Sequence, residues 1–346
     1  METEKNPSHI VKVVILNWNG AHHLRHFLPS VMATTPAEVE IVVADNGSTD
    51  DSLTLLRSDF PAIRVLEFEQ NYGYAEGYNR TLTMLEADYF VLLNSDVETT
   101  PGWIEPLLET LQENASIAAV SPKILSFSDK TSFEYAGAAG GYIDRLGYPF
   151  CRGRMLSTIE KDQGQYDDAR RVFWTSGACM MVSAGAFREV GGFDGEFFAH
   201  MEEIDFCWRA QLFNYTVMYV PSSRVYHLGG GTLPNNTPRK LYLNYRNNLA
   251  MLYKNLPSER LGVVLWSRMM LDACSAWIFL LQGNKAFFRA VFRAHRDFRA
   301  RRKELKSIRH DIQRRSITRS KEIYGGFILL RYFLGRKKFG GLSWKV

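Results

Sequence analysis

Residues 39–58 read Val-Glu-Ile-Val-Val-Ala-Asp-Asn-Gly-Ser-Thr-Asp-Asp-Ser-Leu-Thr-Leu-Leu-Arg-Ser. A run rich in β-branched residues (39–44) stops at Asp45 in an Asp-Asn-Gly turn, and helical spacing follows over 51–58, the pattern of a buried strand feeding a helix. Similar units lie on both sides: 10–16, 63–68 and 89–93 read as strands, 22–32 and 75–86 as helices. Strands and helices alternating in this order predict an α/β fold with a doubly wound, mainly parallel sheet. Such sheets bind ligands beyond the C-terminal ends of their strands. Asn17-Trp18-Asn19, Asp45-Asn46-Gly47-Ser48 and Asn94-Ser95-Asp96 all fall there.

Between 115 and 180 the pattern loosens into Gly- and Tyr-rich segments, consistent with an antiparallel extension. Residues 172–182 then read as a strand, 202–213 as a helix and 216–220 as a strand ending before Pro221. The rest reads as helical. Residues 258–281 are apolar over the length of a membrane span but carry Arg268 and Asp272 four apart on one face. A charge at a bilayer centre costs about 2.5–3.5 kcal/mol, so a helix lying in an interface or packed on the front part is expected instead of a span. Over 285–306, Arg289, Arg293 and Arg296 share one side, with Phe288, Val291, Phe292 and Phe298 largely on the other, a basic amphipathic helix.

With 46% hydrophobic and 23% charged residues in a chain of 346, disordered, collagen-like and disulfide-scaffold classes are excluded. Cys151, Cys179, Cys207 and Cys274 form no CxxC pair, which fits a reducing cytoplasm. The net charge of +5 hides a split: residues 1–239 carry 18 Lys+Arg against 31 Asp+Glu, residues 240–346 carry 24 against 6. Two parts follow, an acidic unit over 1–239 suited to a metal and a basic helical one over 240–346 suited to phosphate, anionic lipid or nucleic acid. The opening METEKNPSHI has no charged-then-apolar signal pattern, so the active part is expected to stay in the cytosol.

Several residue types at these places suit nucleotide and acid–base chemistry. Asp45 either merely opens a turn or accepts an imide N–H from a uracil or thymine ring, while Asp50 could cap the following helix. Asp96, delivered by a rigid strand, offers oxygens to Mg²⁺ or Mn²⁺ bridging a diphosphate. Glu202 and Glu203 are either a solvated helix start, favoured by the dipole, or a general base with its support, and Asp205 stands four before Arg209. His227, before Gly229-Gly230-Gly231, is a core or surface histidine or a ligand. Trp174 is core or a face for stacking on a sugar, and Arg246 a helix-surface arginine or a phosphate contact.

Taken together, the motifs Val-Val-Ile-Leu-Asn-Trp-Asn-Gly (13–20), Val-Val-Ala-Asp-Asn-Gly-Ser-Thr-Asp (42–50), Asn-Tyr-Gly-Tyr-Ala-Glu-Gly-Tyr-Asn (71–79), Leu-Leu-Asn-Ser-Asp-Val (92–97), Gly-Gly-Phe-Asp-Gly-Glu-Phe-Phe (191–198) and Met-Glu-Glu-Ile-Asp-Phe-Cys-Trp-Arg (201–209) resemble glycosyltransferase family 2, in particular its bacterial rhamnosyltransferase-like branch. The likeness covers residues 10–248. It implies a GT-A fold and an inverting, metal-dependent transfer from a UDP- or dTDP-linked sugar to a glycan or polyprenyl-diphosphate-linked acceptor; the basic helices, whose arginines alternate with bulky apolar residues, add the expectation of an anionic membrane surface and not nucleic acid, with a homo-oligomer open. By the same likeness Asn17, Asn19, Asp45, Asn71, Gly73, Gly77, Asn79, Asn94 and Arg246 would bind the nucleotide sugar, Asp96 and His227 the metal, and Trp174, Gly177 and Arg209 the acceptor. Glu203 would be the base, in the company of Glu202 and Asp205; the family commonly has Asp at the base position, one methylene shorter. Two rival readings remain, a nucleic-acid binder gripping phosphates with its Arg-rich end and a sugar nucleotidyltransferase, which would want a Gly-rich, basic triphosphate loop where this chain has Asn17-Trp18-Asn19-Gly20.

Overall fold

The computed structural model describes residues 9–229 and 237–342; the stretch 1–8 and Gly230 and Gly231 of the expected glycine run lie outside the described residues. The first half runs β1 (Val11–Asn17), α1 (Ala21–Thr34), β2 (Glu40–Asp45), α2 (Ser52–Asp59), β3 (Arg64–Glu67), α3 (Gly73–Thr83), β4 (Tyr89–Asn94), β5 (Val97–Thr99), α4 (Glu105–Glu113) and β6 (Ile117–Ser126). Short strands follow, β7 (Gly141–Asp144), β8 (Pro149–Cys151), β9 (Arg154–Met155), β10 (Thr158–Ile159) and β11 (Arg170–Arg171), then β12 (Cys179–Ser183), α5 (Ala184–Val190), α6 (Glu202–Leu212) and β13 (Thr216–His227). The remainder is α7 (Pro238–Asn255), α8 (Ser258–Leu281), α9 (Lys285–Ala300), α10 (Arg302–Arg315), β14 (Ile323–Tyr324) and α11 (Ile328–Phe333).

The main sheet has the order β11-β13-β6-β12-β4-β1-β2-β3, with β5 on β13. β3, β2, β1 and β4 are parallel, as is β13 to β6, while β12 runs antiparallel between β4 and β6. Alternation along β1 explains its unbroken apolar run: Val13 and Ile15 face a core with Leu24, Leu28 and Leu107, whereas Val14 faces the opposite core with Tyr78, Leu82 and Phe206. A second sheet, β10-β9-β8-β7-β14, is antiparallel from β10 to β7 and has β14 parallel to β7. Its last strand comes from the far end of the chain and pairs with β7, so the basic region is stitched into the front part.

Three expectations are corrected. Residues 172–182 are not one strand, because the chain must cross from β11 at the sheet's edge to β12 at its centre, and it does so through a turn over 175–178. The strand at 216 runs on through Pro221 to His227: β13 shifts register against β6 between Val220 and Arg224, and the proline, which has no N–H to give, sits in that irregularity. The 285–306 helix is two, α9 and α10, meeting at Arg301.

Candidate active site

Register puts the first elements of the site side by side. Asn17 pairs with Asp45 across β1 and β2, and Leu16 with Asn94 across β1 and β4, so three motifs end on one sheet edge within about 10 Å, two strand spacings. Asp45 is buried; its Oδ2 accepts from Asn17 Nδ2 at 3.0 Å and its Oδ1 from the Ser48 amide at 2.9 Å. The buried Oδ1 of Asn17 has no partner. A Cβ on Gly20 would stand 2.4 Å from that oxygen, which is why the loop after β1 carries glycine there. Asn19 binds the loop instead of the cleft, its Oδ1 accepting from the amides of Thr49 and Asp50. Asp50 accepts from Ala21 N and Ser52 N, serving the first turns of both α1 and α2.

A second group forms where β4 and β13 end. His227 Nε2 lies 3.1 Å from Asp96 Oδ1 and 3.4 Å from Asn94 Nδ2, and the other oxygen of Asp96 accepts from Gly229 N at 3.2 Å. Glu134, which the sequence reading missed, stands on the far side of the ring with Oε1 3.3 Å from His227 Nδ1, at ion-pair distance. All three side chains are buried. Burial alone would lower the imidazole's pKa; Glu134 and Asp96 overrule it and push it up to about 10. The Asp96 carboxyl is raised by burial and brought below its ordinary value by His227. Two buried carboxylates about one imidazole demand positive charge, which the ring's own proton supplies; Mn²⁺ or Mg²⁺ bound by Asp96 and the neutral ring would take that proton's place, with a diphosphate completing the shell. Among the described residues no three His, Cys, Asp or Glu side chains could hold a metal unaided.

The acid pair is held from two sides. The preceding segment carries left-handed backbone at three non-glycine residues, Phe198, His200 and Met201, with φ of 64°, 72° and 74°, and such conformations persist only where the surroundings impose them. On one side α3 docks it: Phe198 O accepts from the amides of Tyr74 and Ala75, and Asn79 exchanges hydrogen bonds of 2.9 Å with both backbone groups of Phe193. On the other, buried Asn247 of α7 donates from one amide to three carbonyls, Phe197, Ala199 and His200, at 2.8–3.0 Å. Glu202 and Glu203 follow in the first turn of α6, each with an unpartnered Oε2. Burial, and Glu203 beside it, hold Glu202 well above the carboxylate range; burial pushes Glu203 up to about 7. Tyr74 adjoins the pair, its hydroxyl donating to Gly177 O at 2.7 Å.

Other residues expected in the site already hold partners within the protein. Asp205 is fully buried, taking Arg209 Nε at 2.9 Å, Lys254 Nζ at 3.0 Å and Asn255 Nδ2 at 2.8 Å, so it fastens α6 to α7. The remaining Arg209 nitrogens go to the carbonyls of Val190 and Gly192. Arg246 gives its guanidinium to the carbonyls of Glu196 and Phe197. Trp174 is buried against Gly141 and donates to Tyr142 O, a core role. Asn71 Oδ1 accepts from Gly73 N and Asn46 Nδ2, shaping the loop beside Asp45. At Gly77 a Cβ would press on Leu16 and Asn46, so the glycine lets α3 approach β1.

A family model described as glycosyl transferase family 2 matches residues 12–191, just over half the chain, and one described as glycosyl transferase family group 2 matches 144–291. A relative from Mycobacterium tuberculosis, N-acetylglucosaminyl-diphospho-decaprenol L-rhamnosyltransferase, is 31% identical over 236 residues, 63% of this chain and 76% of that protein. Among solved structures, GalNAc-T7 with UDP, GalNAc and Mn²⁺ superposes with a TM-score of 0.56 at 17% identity, over 72% of this chain and 48% of that one. The mannosyltransferase PcManGT of Pyrobaculum calidifontis, in complex with GDP-Man and Mn²⁺, gives 0.51 at 13%, over 86% and 78%. The two structures support the fold alone.

Proposed function

Since the chain belongs to glycosyl transferase family 2 and is a glycosyltransferase, we propose that it inverts the anomeric centre of a UDP- or dTDP-linked sugar, rhamnose or a hexose, on transfer to a glycan or polyprenyl-diphosphate-linked hydroxyl in cell-surface polysaccharide synthesis. The work is done on the cytoplasmic face of a membrane to which the protein binds peripherally. The observation that supports this reading is the convergence of Asp45, Asp96 and His227 on one sheet edge, together with Glu203 in the first turn of α6, beside Tyr74 and with an unpartnered Oε2.

Asp45, held by Asn17, accepts the imide N–H of the base. Asp96 and His227 would hold the divalent cation, with Glu134 beside the far nitrogen of the ring. A bound Mg²⁺ or Mn²⁺ supplies positive charge to the departing diphosphate. Glu203 takes the proton of the acceptor hydroxyl, whose oxygen bonds to the anomeric carbon from the face opposite the diphosphate while the bond to the diphosphate oxygen breaks. A carboxylate of pKa about 7 is ionised for half of the molecules at neutral pH and basic enough to hold the proton it receives. Residues 1–239 form the transferase unit and 240–346 the membrane-facing one. Screening nucleotide sugars by mass spectrometry for hydrolysis with and without Mn²⁺ tests the reading: a UDP or dTDP sugar cleaved only with the metal is expected, and cleavage of none refutes it.

A further inference from the structure

The two charges that argue against α8 as a membrane helix are turned inward. Val264, Arg268, Asp272 and Ala276, four apart, are its buried residues. Arg268 stacks 3.7 Å from the ring centre of Tyr148, and Asp272 takes His295 Nε2 at 3.2 Å. The opposite face is bare and apolar. Val263, Trp266, Met270, Trp277, Ile278 and Leu281 are exposed, Trp266 at 67% and Leu281 at 87%, in a stripe about 27 Å long. An uncovered stripe of this kind marks a contact surface. It continues onto α9, since Trp277 meets Phe288 at 5.4 Å and Phe288 meets the exposed Phe292 at 4.8 Å. Beside those phenylalanines stand the exposed Arg289, Arg293 and Arg296, with Asp297 the acid of that helix.

We propose that α8 lies flat in the surface of an anionic bilayer, its tryptophan stripe among the upper acyl chains and the α9 arginines on lipid phosphates. The inference deepens the membrane-face reading above and rests on it. An apolar, Trp-bearing strip bordered by arginine is the composition of an interfacial helix. Spanning is ruled out because α8 is packed along its inner face on the protein and cannot be ringed by lipid. A second copy fits less well, since a self-complementary contact would need an acidic row to meet the arginines, whereas α9 carries one acid, Asp297, already paired with Arg293 and Arg296.

Cys274, on the exposed side, is unpaired like the other three cysteines, which are buried, so a polarity-sensitive fluorophore on its thiol reports the stripe. With the full-length chain, the expected result is co-flotation with vesicles of phosphatidylglycerol and phosphatidylcholine but not of phosphatidylcholine alone, together with a blue shift of the label and quenching by shallow lipid-borne quenchers. Trp266→Ser with Trp277→Ser should weaken partition at least about tenfold, and Arg289→Glu with Arg293→Glu about fivefold or more per arginine. Both pairs lie outside the cleft, so Mn²⁺-dependent binding of UDP or dTDP should stay unchanged, which separates failure here from failure of the catalytic reading; the tryptophan pair should also leave the melting temperature unchanged, while Arg293, paired with Asp297 and stacked on Tyr242, should lower it slightly when reversed in charge. Absence of flotation, flotation indifferent to the tryptophan pair, quenching at the bilayer centre, a dimer dissociated by the tryptophan pair, or preferential binding of generic duplex or RNA by the arginines would each overturn the proposal.

Discussion

Glu203→Gln should damage the enzyme and stabilise the protein at once. The folded protein holds the Glu203 carboxyl at about 7 against 4.5 for a free glutamate, and burial is the cause. A carboxyl whose pKa is raised on folding favours the fold below its unfolded pKa, and that advantage is lost as pH rises through the folded value. Two and a half units correspond to about 3 kcal/mol of strain near pH 8 and less than about 1 kcal/mol near pH 5. Glutamine carries no charge to desolvate, so the variant should melt several degrees higher near pH 8, at roughly 2 °C per kcal/mol for a chain of this length, with the gain fading toward pH 5. Transfer should fall about 10²–10⁴-fold through loss of the base, while nucleotide binding persists. In the wild type, kcat/KM should rise with pH through about 7, because the base must be ionised to act. The assay is a pair of thermal melts across pH beside single-turnover transfer. A helix-start acid that merely satisfies the dipole would give the opposite stability change; a variant that melts lower at every pH, or that turns over normally, refutes the reasoning.

The other perturbations separate structural from chemical roles. Glu134→Gln should weaken Mn²⁺ binding in the presence of UDP or dTDP by about 10–100-fold, the usual effect of losing a residue that orients a ligand; calorimetric titration reads it, and unchanged affinity would make Glu134 a bystander. Asp205→Asn should cost about 3–5 kcal/mol by stranding Lys254 and Arg209, yet leave the folded fraction competent. Burial raises the Asp205 carboxyl but Lys254 and Arg209 bring it below its ordinary value, so its contribution is present above the unfolded pKa and disappears as pH falls through the folded one. A catalytic loss without a stability loss would return Asp205 to the chemistry. Asn247→Ala removes the two N–H donors that the three carbonyls share, worth about 1 kcal/mol each, and frees the segment before Glu202, so kcat should drop more than nucleotide affinity; equal losses would point to a general weakening.

The strands that end at Asn17, Asp45 and Asn94 were legible because each is a continuous buried run closed by a polar turn, and neighbouring parallel strands leave such turns on one edge. The α6 acids were legible as a motif, but their setting was not. The backbone before them depends on Asn79 and Asn247, 168 positions apart in the numbering, and nothing local to 198–201 announces left-handed residues without glycine. Glu134 lay in a Gly- and Tyr-rich stretch with no periodicity and reaches His227 only because β6 and β13 pair. Arg209, Arg246 and Trp174 look in sequence like residues free to bind a ligand, yet backbone carbonyls turned away from water need donors, and these side chains supply them. The helix at Ser258–Leu281 has the expected bounds; only the fold tells that Arg268 and Asp272 face the protein and the tryptophans do not.

Anomalous scattering from a crystal of the full chain grown with Mn²⁺ and UDP or dTDP probes the proposed centre without any substitution. A manganese peak within bonding distance of Asp96 and His227, with the diphosphate on it and the base against Asp45, is the expected result. Manganese bound elsewhere, or a nucleotide seated with Asp96 and His227 still paired to each other and no metal between them and the diphosphate, would contradict it.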